Sequence, residues 1–327
     1  MERTDLLARA IQAFGAHKKN YYKKGDYVGA DFWDYAEIFE IADDLFEVSG
    51  DETLYGQFSE MTDFILRKWG EDWEKNPFND DIMWLVIALS RACLFTGEKR
   101  YLDLAKHNFD KTFARSASDD LGGGLFWRIE NETKNACVNG PGAVAASYLA
   151  KATGDGSYWD KALYCYEWER ANLFEPDTGK VYDAKRMDGR VNKWSSTYNQ
   201  GTFIGMCLGL WQHTGSEQFL TDALKAADYT VNAMYQGGIM DNEEQGNDLP
   251  GFKGILARYL RRLTALTGRG EYLAWLRKNA DSAWDGRNTD GLMSTQLAHK
   301  TEEGTSFDVF SMSAAVSVVV NAVGNPD

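Results

Sequence analysis

The run Phe78-Asn79-Asp80-Asp81-Ile82-Met83-Trp84 sets two carboxyl groups side by side where an apolar helical pattern begins. Two carboxyls suit the cleavage of a sugar acetal. That reaction passes through an oxocarbenium-like transition state, which needs one carboxylic acid to protonate the leaving oxygen and an ionised carboxylate to attack carbon or activate water. Adjacent residues can supply both if their rotamers converge. Aspartate is also a favoured N-cap and first-turn residue, because it accepts backbone N–H bonds and complements the helix dipole. Taken alone, the pair therefore reads first as an ordinary helix start, and its setting has to decide.

That setting is repetitive. A Ser or Thr followed by Gly recurs after apolar segments, at Ser49-Gly50, Thr96-Gly97, Thr153-Gly154, Thr214-Gly215 and Thr267-Gly268. Each reads as a helix C-terminus closed by a left-handed glycine. A second amphipathic segment follows, with a pair such as Tyr101-Leu102, Tyr158-Trp159, Phe219-Leu220 or Tyr272-Leu273. The helices before the markers are apolar almost all round, as in Ile82 to Leu89 and Gly201 to Leu210, and should be buried on several sides. Their partners should lie outside, as in Phe219 to Tyr235 with Asp222, Lys225 and Asp228 on a polar face. Counting a first helix from Thr4 to His17 and a last one from Ser311 to Val323, six inner and six outer helices can be assigned. The predicted fold is an all-α (α/α)6 toroid, a six-hairpin barrel, in a single domain spanning residues 1–327. Glycine-rich interruptions at Gly122-Gly123-Gly124 and Gln236-Gly237-Gly238 follow outer helices and read as loops over one end.

Composition narrows the function. The 44% hydrophobic content over 327 residues is ample for a large core, and a net charge of −14 with scattered Lys and Arg disfavours nucleic acid. A neutral ligand fits better, and the 11 Trp, 16 Tyr and 17 Phe offer platforms for sugar faces as well as core. Cys93, Cys137, Cys165 and Cys207 show no C-x-x-C spacing and read as buried thiols of a reducing compartment. No stretch is apolar and long enough to span a bilayer, and the first residues lack a basic-then-apolar signal pattern. The chain as written is therefore expected in the cytoplasm, or secreted if a leader was removed.

The starts of the inner helices should share one face. They carry Asp31-Phe32-Trp33-Asp34, Asn79-Asp80-Asp81, Asn135-Ala136-Cys137-Val138-Asn139-Gly140, Ser195 to Gly201, Pro250 to Gly254 and Ser306-Phe307-Asp308. Amides, hydroxyls, aromatics and a carboxyl pair brought together suit a polyhydroxylated ligand. Individually, Asn139 and Asn199 read as caps and Trp127 as loop packing. Asp31, Asp34, Glu130, Asp248 and Asp308 are further carboxyls near loop ends, for which capping is the default explanation.

Asp80-Asp81 before a Trp-bearing helix, Gly122-Gly123-Gly124 with Phe126-Trp127, Lys134-Asn135-Ala136, Tyr198-Asn199-Gln200-Gly201 and Phe252-Lys253-Gly254 occur in the order seen in glycoside hydrolase family 76. From about Asp31 to Asp308 the chain resembles an endo-α-1,6-mannanase of that family. The resemblance implies an (α/α)6 fold and a retaining double displacement on α-1,6-linked mannose in a polysaccharide or oligosaccharide, with no cofactor or metal. It makes Asp80 the nucleophile and Asp81 the acid/base, the latter kept protonated by its neighbour's charge and partial burial. Trp127, Lys134, Asn135, Asn139, Tyr198, Asn199, Gln200 and Lys253 are the implied substrate-binding residues. Phe126 stands where the family often has a second Trp, and Trp73 to Pro77 match nothing in its pattern. The family is also similar to fungal wall transglycosidases, so hydrolysis and transfer both stay open, as does endo or exo action.

Two other classes compete. A sugar epimerase or isomerase on the same toroid would be expected to use histidine, and of His17, His107, His213 and His299 only His299 is placed to serve. A non-catalytic glycan-binding toroid would use the same amides and aromatics. Lanthionine-type cyclisation or zinc chemistry lacks a Cys and His cluster with ligand spacing, and the glycine cluster lies outside the strand-to-helix context of a nucleotide loop. The protein is expected to be a monomer.

Overall fold

The computed structural model describes residues 2–241 and 248–326. Twelve α-helices run among the described residues: α1 (Arg3–Tyr21), α2 (Phe32–Ser49), α3 (Leu54–Trp69), α4 (Asn79–Thr96), α5 (Lys99–Ser116), α6 (Ala136–Thr153), α7 (Ser157–Asn172), α8 (Thr197–Thr214), α9 (Glu217–Asp228), α10 (Phe252–Thr267), α11 (Gly270–Asp285) and α12 (Val309–Asn321). Seven short strands join them as antiparallel ribbons: β1 (Tyr22–Lys23) with β2 (Asp26–Tyr27), β3 (Thr133–Asn135) with β6 (Ala184–Arg186) and β7 (Val191–Asn192), and β4 (Phe174–Glu175) with β5 (Lys180–Val181). Among the described residues, no helix is long and apolar enough to cross a membrane.

The Ser/Thr-Gly markers end α2, α4, α6, α8 and α10, and each glycine is left-handed, with φ between 66° and 74°. The hydroxyl before it has a fixed task. Ser49, Thr96, Thr153, Thr214 and Thr267 each donate to the carbonyl four residues back at 2.6–2.8 Å. Each also accepts the backbone N–H two residues on, at 3.1–3.3 Å. One side chain thus satisfies a terminal carbonyl and turns the chain into the next helix. The aromatic that opens the partner helix is buried in four of the five, at Tyr101, Tyr158, Phe219 and Tyr272, while Tyr55 of α3 is half-buried.

The chain packs as two compact units, one of residues up to Phe64 together with Thr230 onward, the other Ile65–Tyr229. In the second unit α4 lies against α6 and α6 against α8, while α5, α7 and α9 each pack on the inner helix before them. From Ile82 to Ala92, α4 is buried throughout, which accounts for its unbroken apolar run. The approach of α6 to α8 is close enough that a Cβ on Gly140 would lie 2.6 Å from Thr202 Oγ1. One expectation is corrected. Asp222 of α9 is not on a solvent-facing polar side; it is buried, accepting from Tyr166 Oη at 2.8 Å and from Arg170 Nε at 2.6 Å.

In the first unit α12 packs on α1, α2, α10 and α11. Its interior is charged as well as apolar. Arg258 of α10 pairs with Glu37, Glu40 and Asp44 of α2 at 2.9–3.2 Å, and Arg261 reaches Asp44 at 3.4 Å and pairs with Glu47. Replacing one partner of such a buried set would strand the others without compensation.

Candidate active site

The approach to Asp80 is held from α5. Arg115 donates to the Asn79 side chain at 2.7 Å and to the carbonyls of Glu74 and Asn76 at 2.6 and 2.8 Å, fixing the segment that leads into α4. The same segment is tied to the 117–128 loop, because Asn79 donates its backbone N–H to Trp127 O at 2.8 Å and its side-chain amide to Phe126 O at 2.9 Å. Phe78 caps α4 without a side-chain bond, so Asn79, Asp80 and Asp81 occupy the first turn itself.

Asp80 is 9% exposed and its Oδ1 has no hydrogen-bond partner. Burial pushes its carboxyl up to about 7; the Cys137 thiol, the Trp127 indole and the N–H groups of Asp80 and Asp81 at the helix start act the other way. The indole faces Asp80 without closing a full hydrogen bond, since Trp127 Nε1 is also buried and unpartnered. Asp81 is only half-buried and accepts from Asn76 Nδ2 at 2.9 Å. The retained proton was expected on Asp81. In the free site burial favours it on Asp80, because Asp80 points inward from the first turn while Asp81 meets solvent and a donor amide.

Four implied binding residues gather here. Asn135 ends β3 at the start of α6, and its Oδ1 is buried without a partner. Tyr198 and Asn199 lie in the first turn of α8, where Tyr198 faces Trp84 with ring centroids 6.4 Å apart. Asn199 is fully buried, donates to Asp183 Oδ1 at 3.4 Å, and keeps Oδ1 unpartnered. Trp127 is half-buried and lies tilted at 49° against Phe78 with centroids 5.5 Å apart.

Four others serve the scaffold, which corrects their expected role. Lys134 is fully buried and its ammonium donates to the carbonyls of Ser118, Asp120, Gly123 and Gly124 at 2.8, 2.8, 2.5 and 3.0 Å, forming the centre around which the glycine loop folds. In that loop Gly124 is left-handed, and a Cβ there would stand 2.4 Å from the Trp168 ring. Asn139 closes the same loop by accepting from Leu125 N at 2.8 Å and donating to Leu125 O and Asn135 O. Gln200 accepts from Val181 N and donates to the carbonyls of Gly179 and Ala226, pinning the β4–β5 ribbon. Lys253 belongs to the other unit and is fully buried beside Thr295 Oγ1 at 3.4 Å.

Three further residues near the pair have no site role assigned from the sequence. Asn76 supplies the donor to Asp81 from a segment with no family match. Cys137, in the first turn of α6, is buried, and burial first and then the Asp80 and Asp183 carboxyls push its thiol well above the ordinary range. Asp183, held by Asn192 Nδ2 at 2.9 Å, adds a third carboxyl whose burial raises it above its ordinary value. It directly precedes the β6–β7 hairpin, which has no periodic signal in the sequence.

The remaining candidates behave as caps or surface groups. Asp31 and Asp34 form a capping box at α2, and Asp308 caps α12 through Phe310 N and Ser311 N. Asp34 is pushed up to about 7, first by burial and then by Asp31, with Asp248 and Asp308 adding to it, so the helix starts of that unit also draw together. Glu130 pairs with Arg128 at 3.1 Å. His299 is exposed, His17 bonds Val309 O at 2.9 Å, His107 lies beside Asp72, and His213 stacks on Trp159 at the far end of α8. Among the described residues no His, Cys, Asp and Glu group is arranged to hold a metal ion.

Paired inner and outer helices with adjacent carboxyls at an inner-helix start define the class of (α/α)6 toroid glycosidases. The family model of glycosyl hydrolase family 76 matches residues 2–326, and the chain belongs to that family. The α-1,6-mannanase from Salegentibacter sp. HEL1_6 superimposes with a TM-score of 0.88 at 30% identity, covering 97% of this chain and 98% of that one. An inactive variant of that mannanase, with two consecutive aspartates changed to asparagine and α-1,6-mannotriose bound, gives a TM-score of 0.89 at 29% identity, over 97% and 99% of the two chains. Mannan endo-1,6-α-mannosidase DCW1 of Saccharomyces cerevisiae is 29% identical over 249 residues, 67% of this chain and 56% of the yeast protein. The chain spans about half the length of the curated relatives it matches.

Proposed function

We propose that this protein is a retaining glycoside hydrolase that cleaves α-1,6-mannosidic bonds in mannan or mannose-containing oligosaccharides. The observation that carries the reading is a set of buried, unpartnered polar atoms at the starts of three successively packed inner helices, Asp80 Oδ1 on α4, Asn135 Oδ1 before α6 and Asn199 Oδ1 on α8, together with Trp127 Nε1, whose indole bears on Asp80. Leaving such groups unsatisfied costs about 1–3 kcal/mol each, a cost that sugar hydroxyls would relieve on binding. The mannotriose complex of the Salegentibacter enzyme, inactivated at two consecutive aspartates, supports the same pair here.

In the proposed mechanism an Asp80 oxygen bonds to the anomeric carbon as the bond to the 6-oxygen breaks, and Asp81 gives that oxygen its proton. Water then gives a proton to Asp81 and attacks the same carbon, releasing Asp80. Burial raises the Asp80 carboxyl to about 7 in the free site, and positive charge developing at the anomeric carbon favours its ionised form as the bond to the leaving oxygen breaks. The four free, buried cysteines support a reducing compartment for the protein, which fractionation with thiol labelling would test.

Reducing-end release from unbranched α-1,6-mannan by Asp80→Asn and Asp81→Asn tests the assignment. Each is expected to lose roughly two to four orders of magnitude in rate. Near-wild-type cleavage by both variants would remove the pair from the chemistry, and mannan binding by the wild type without cleavage would make it a glycan-binding protein.

A further inference from the structure

The turn that leads into α4 is built around one amide. Asn76 donates its backbone N–H to Trp73 O at 2.9 Å, and its side-chain Oδ1 accepts the N–H of Phe78 at 3.0 Å. With the amide oxygen used in this way, the NH2 group is the end that faces the helix start, and Nδ2 donates to Asp81 Oδ2 at 2.9 Å. The turn is itself clamped. Trp73 N–H donates to Asn108 Oδ1 of α5 at 2.9 Å, Arg115 of α5 donates to the carbonyls of Glu74 and Asn76 at 2.6 and 2.8 Å, and Ile129 N–H donates to Pro77 O at 3.1 Å. Pro77 removes further freedom from the residue before it. Building on the assignment of Asp81 as acid/base, we propose that Asn76 is its positioning residue: the amide holds Asp81 Oδ2 as an acceptor and thereby makes Oδ1 the oxygen that carries the proton to the leaving sugar.

The division of labour between the two oxygens follows from the donor. An amide NH2 has no lone pair to offer a carboxylic O–H, so the oxygen it meets is the carbonyl oxygen of the protonated acid or an oxygen of the carboxylate. When Oδ1–H passes its proton to the 6-oxygen and the glycosidic bond breaks, the charge left on Asp81 turns a neutral hydrogen bond into a charge-assisted one, roughly twice as strong. The bond is therefore tighter in the transition state than in the ground state, which is the condition for it to contribute to rate. In the second step water returns a proton to Oδ1 and the bond relaxes to its neutral strength. Asn76 acts on the sugar only through Asp81.

The test compares kcat/KM of the full chain on unbranched α-1,6-mannan and on a dinitrophenyl α-1,6-mannobioside, whose leaving group departs without a proton. Because kcat/KM measures the climb from free enzyme and substrate to the first bond cleavage, the later work of Asp81 as base does not enter. Asn76→Ser keeps a hydroxyl to accept the Phe78 N–H and loses the donor to Asp81. It is expected to lower kcat/KM on mannan about tenfold to a hundredfold and on the activated substrate less than about threefold. Added to Asp81→Asn, it should lower mannan cleavage less than about threefold further, since its only route to the sugar is already gone. Equal losses on both substrates, no loss on mannan, or a full further loss in the double variant overturn the proposal. Asp81→Asn alone tests the reading beneath it. A loss confined to mannan upholds Asp81 as the acid whatever Asn76→Ser does, whereas equal losses on both substrates, or a wild type that cleaves neither, remove that reading and the proposal with it.

Discussion

Asp80→Asn should make the protein more stable at alkaline pH, by an amount that follows from the burial of Asp80. Its carboxyl is raised from 3.8 to about 7 in the folded chain. Below 3.8 the group is protonated folded and unfolded alike and contributes nothing. As pH rises from 4 to 7 the unfolded chain releases this proton first, so the folded state binds more protons and stability falls through that window. Above 7 the loss is complete, and at pH 8 the roughly three-unit elevation corresponds to about 4 kcal/mol, against about 1 kcal/mol at pH 4.5. Asparagine keeps the shape and removes the charge. In a chain of this size each kcal/mol moves Tm by roughly 2 °C, so scanning calorimetry should find the variant about 8 °C more stable at pH 8 and about 2 °C at pH 4.5. An equal gain at both values, or none at pH 8, would refute the claim that Asp80 is a carboxyl kept at a cost in stability.

The scaffold offers two further tests. Lys134→Met leaves four carbonyls of the 118–124 loop without their donor and should cost about 3–5 kcal/mol in urea unfolding, since charged bonds of this kind contribute ~1.5–3 kcal/mol each; a cost within 0.5 kcal/mol, about the size of a surface substitution, would contradict the scaffold role and return Lys134 to the substrate-binding role the resemblance implied. Gly154→Ala, at the left-handed end of α6 with φ 74° and open space around it, should destabilise by about 1 kcal/mol without changing kcat, and a neutral effect on unfolding would contradict the capping account of the Ser/Thr-Gly repeat.

The helical plan was legible because it is written in local chemistry. Each marker needs a hydroxyl four residues after a carbonyl and a glycine where the chain turns left-handed, and both are sequence-level signals that the structure satisfies at all five positions. Boundaries moved by a few residues, as in α1, which runs to Tyr21 rather than His17. The pair Asp80-Asp81 was legible for a related reason, since two acids in one first turn need no tertiary information to be found together. The direction of a side chain was not. Lys134, Asn139 and Gln200 have the chemistry of sugar-binding groups, and only the fold shows that backbone carbonyls and amides use it up. Asn76 was invisible for the converse reason, because an amide acquires meaning only from the carboxyl that the turn into α4 places beside it.

The most direct measurement of the central claim is proton NMR of a fresh digest of unbranched α-1,6-mannan, following the anomer first released by the wild type and by Asp80→Asn. The account expects an initial α-anomer that later mutarotates, and no such signal from the variant. An initial β-anomer would contradict the double displacement through Asp80.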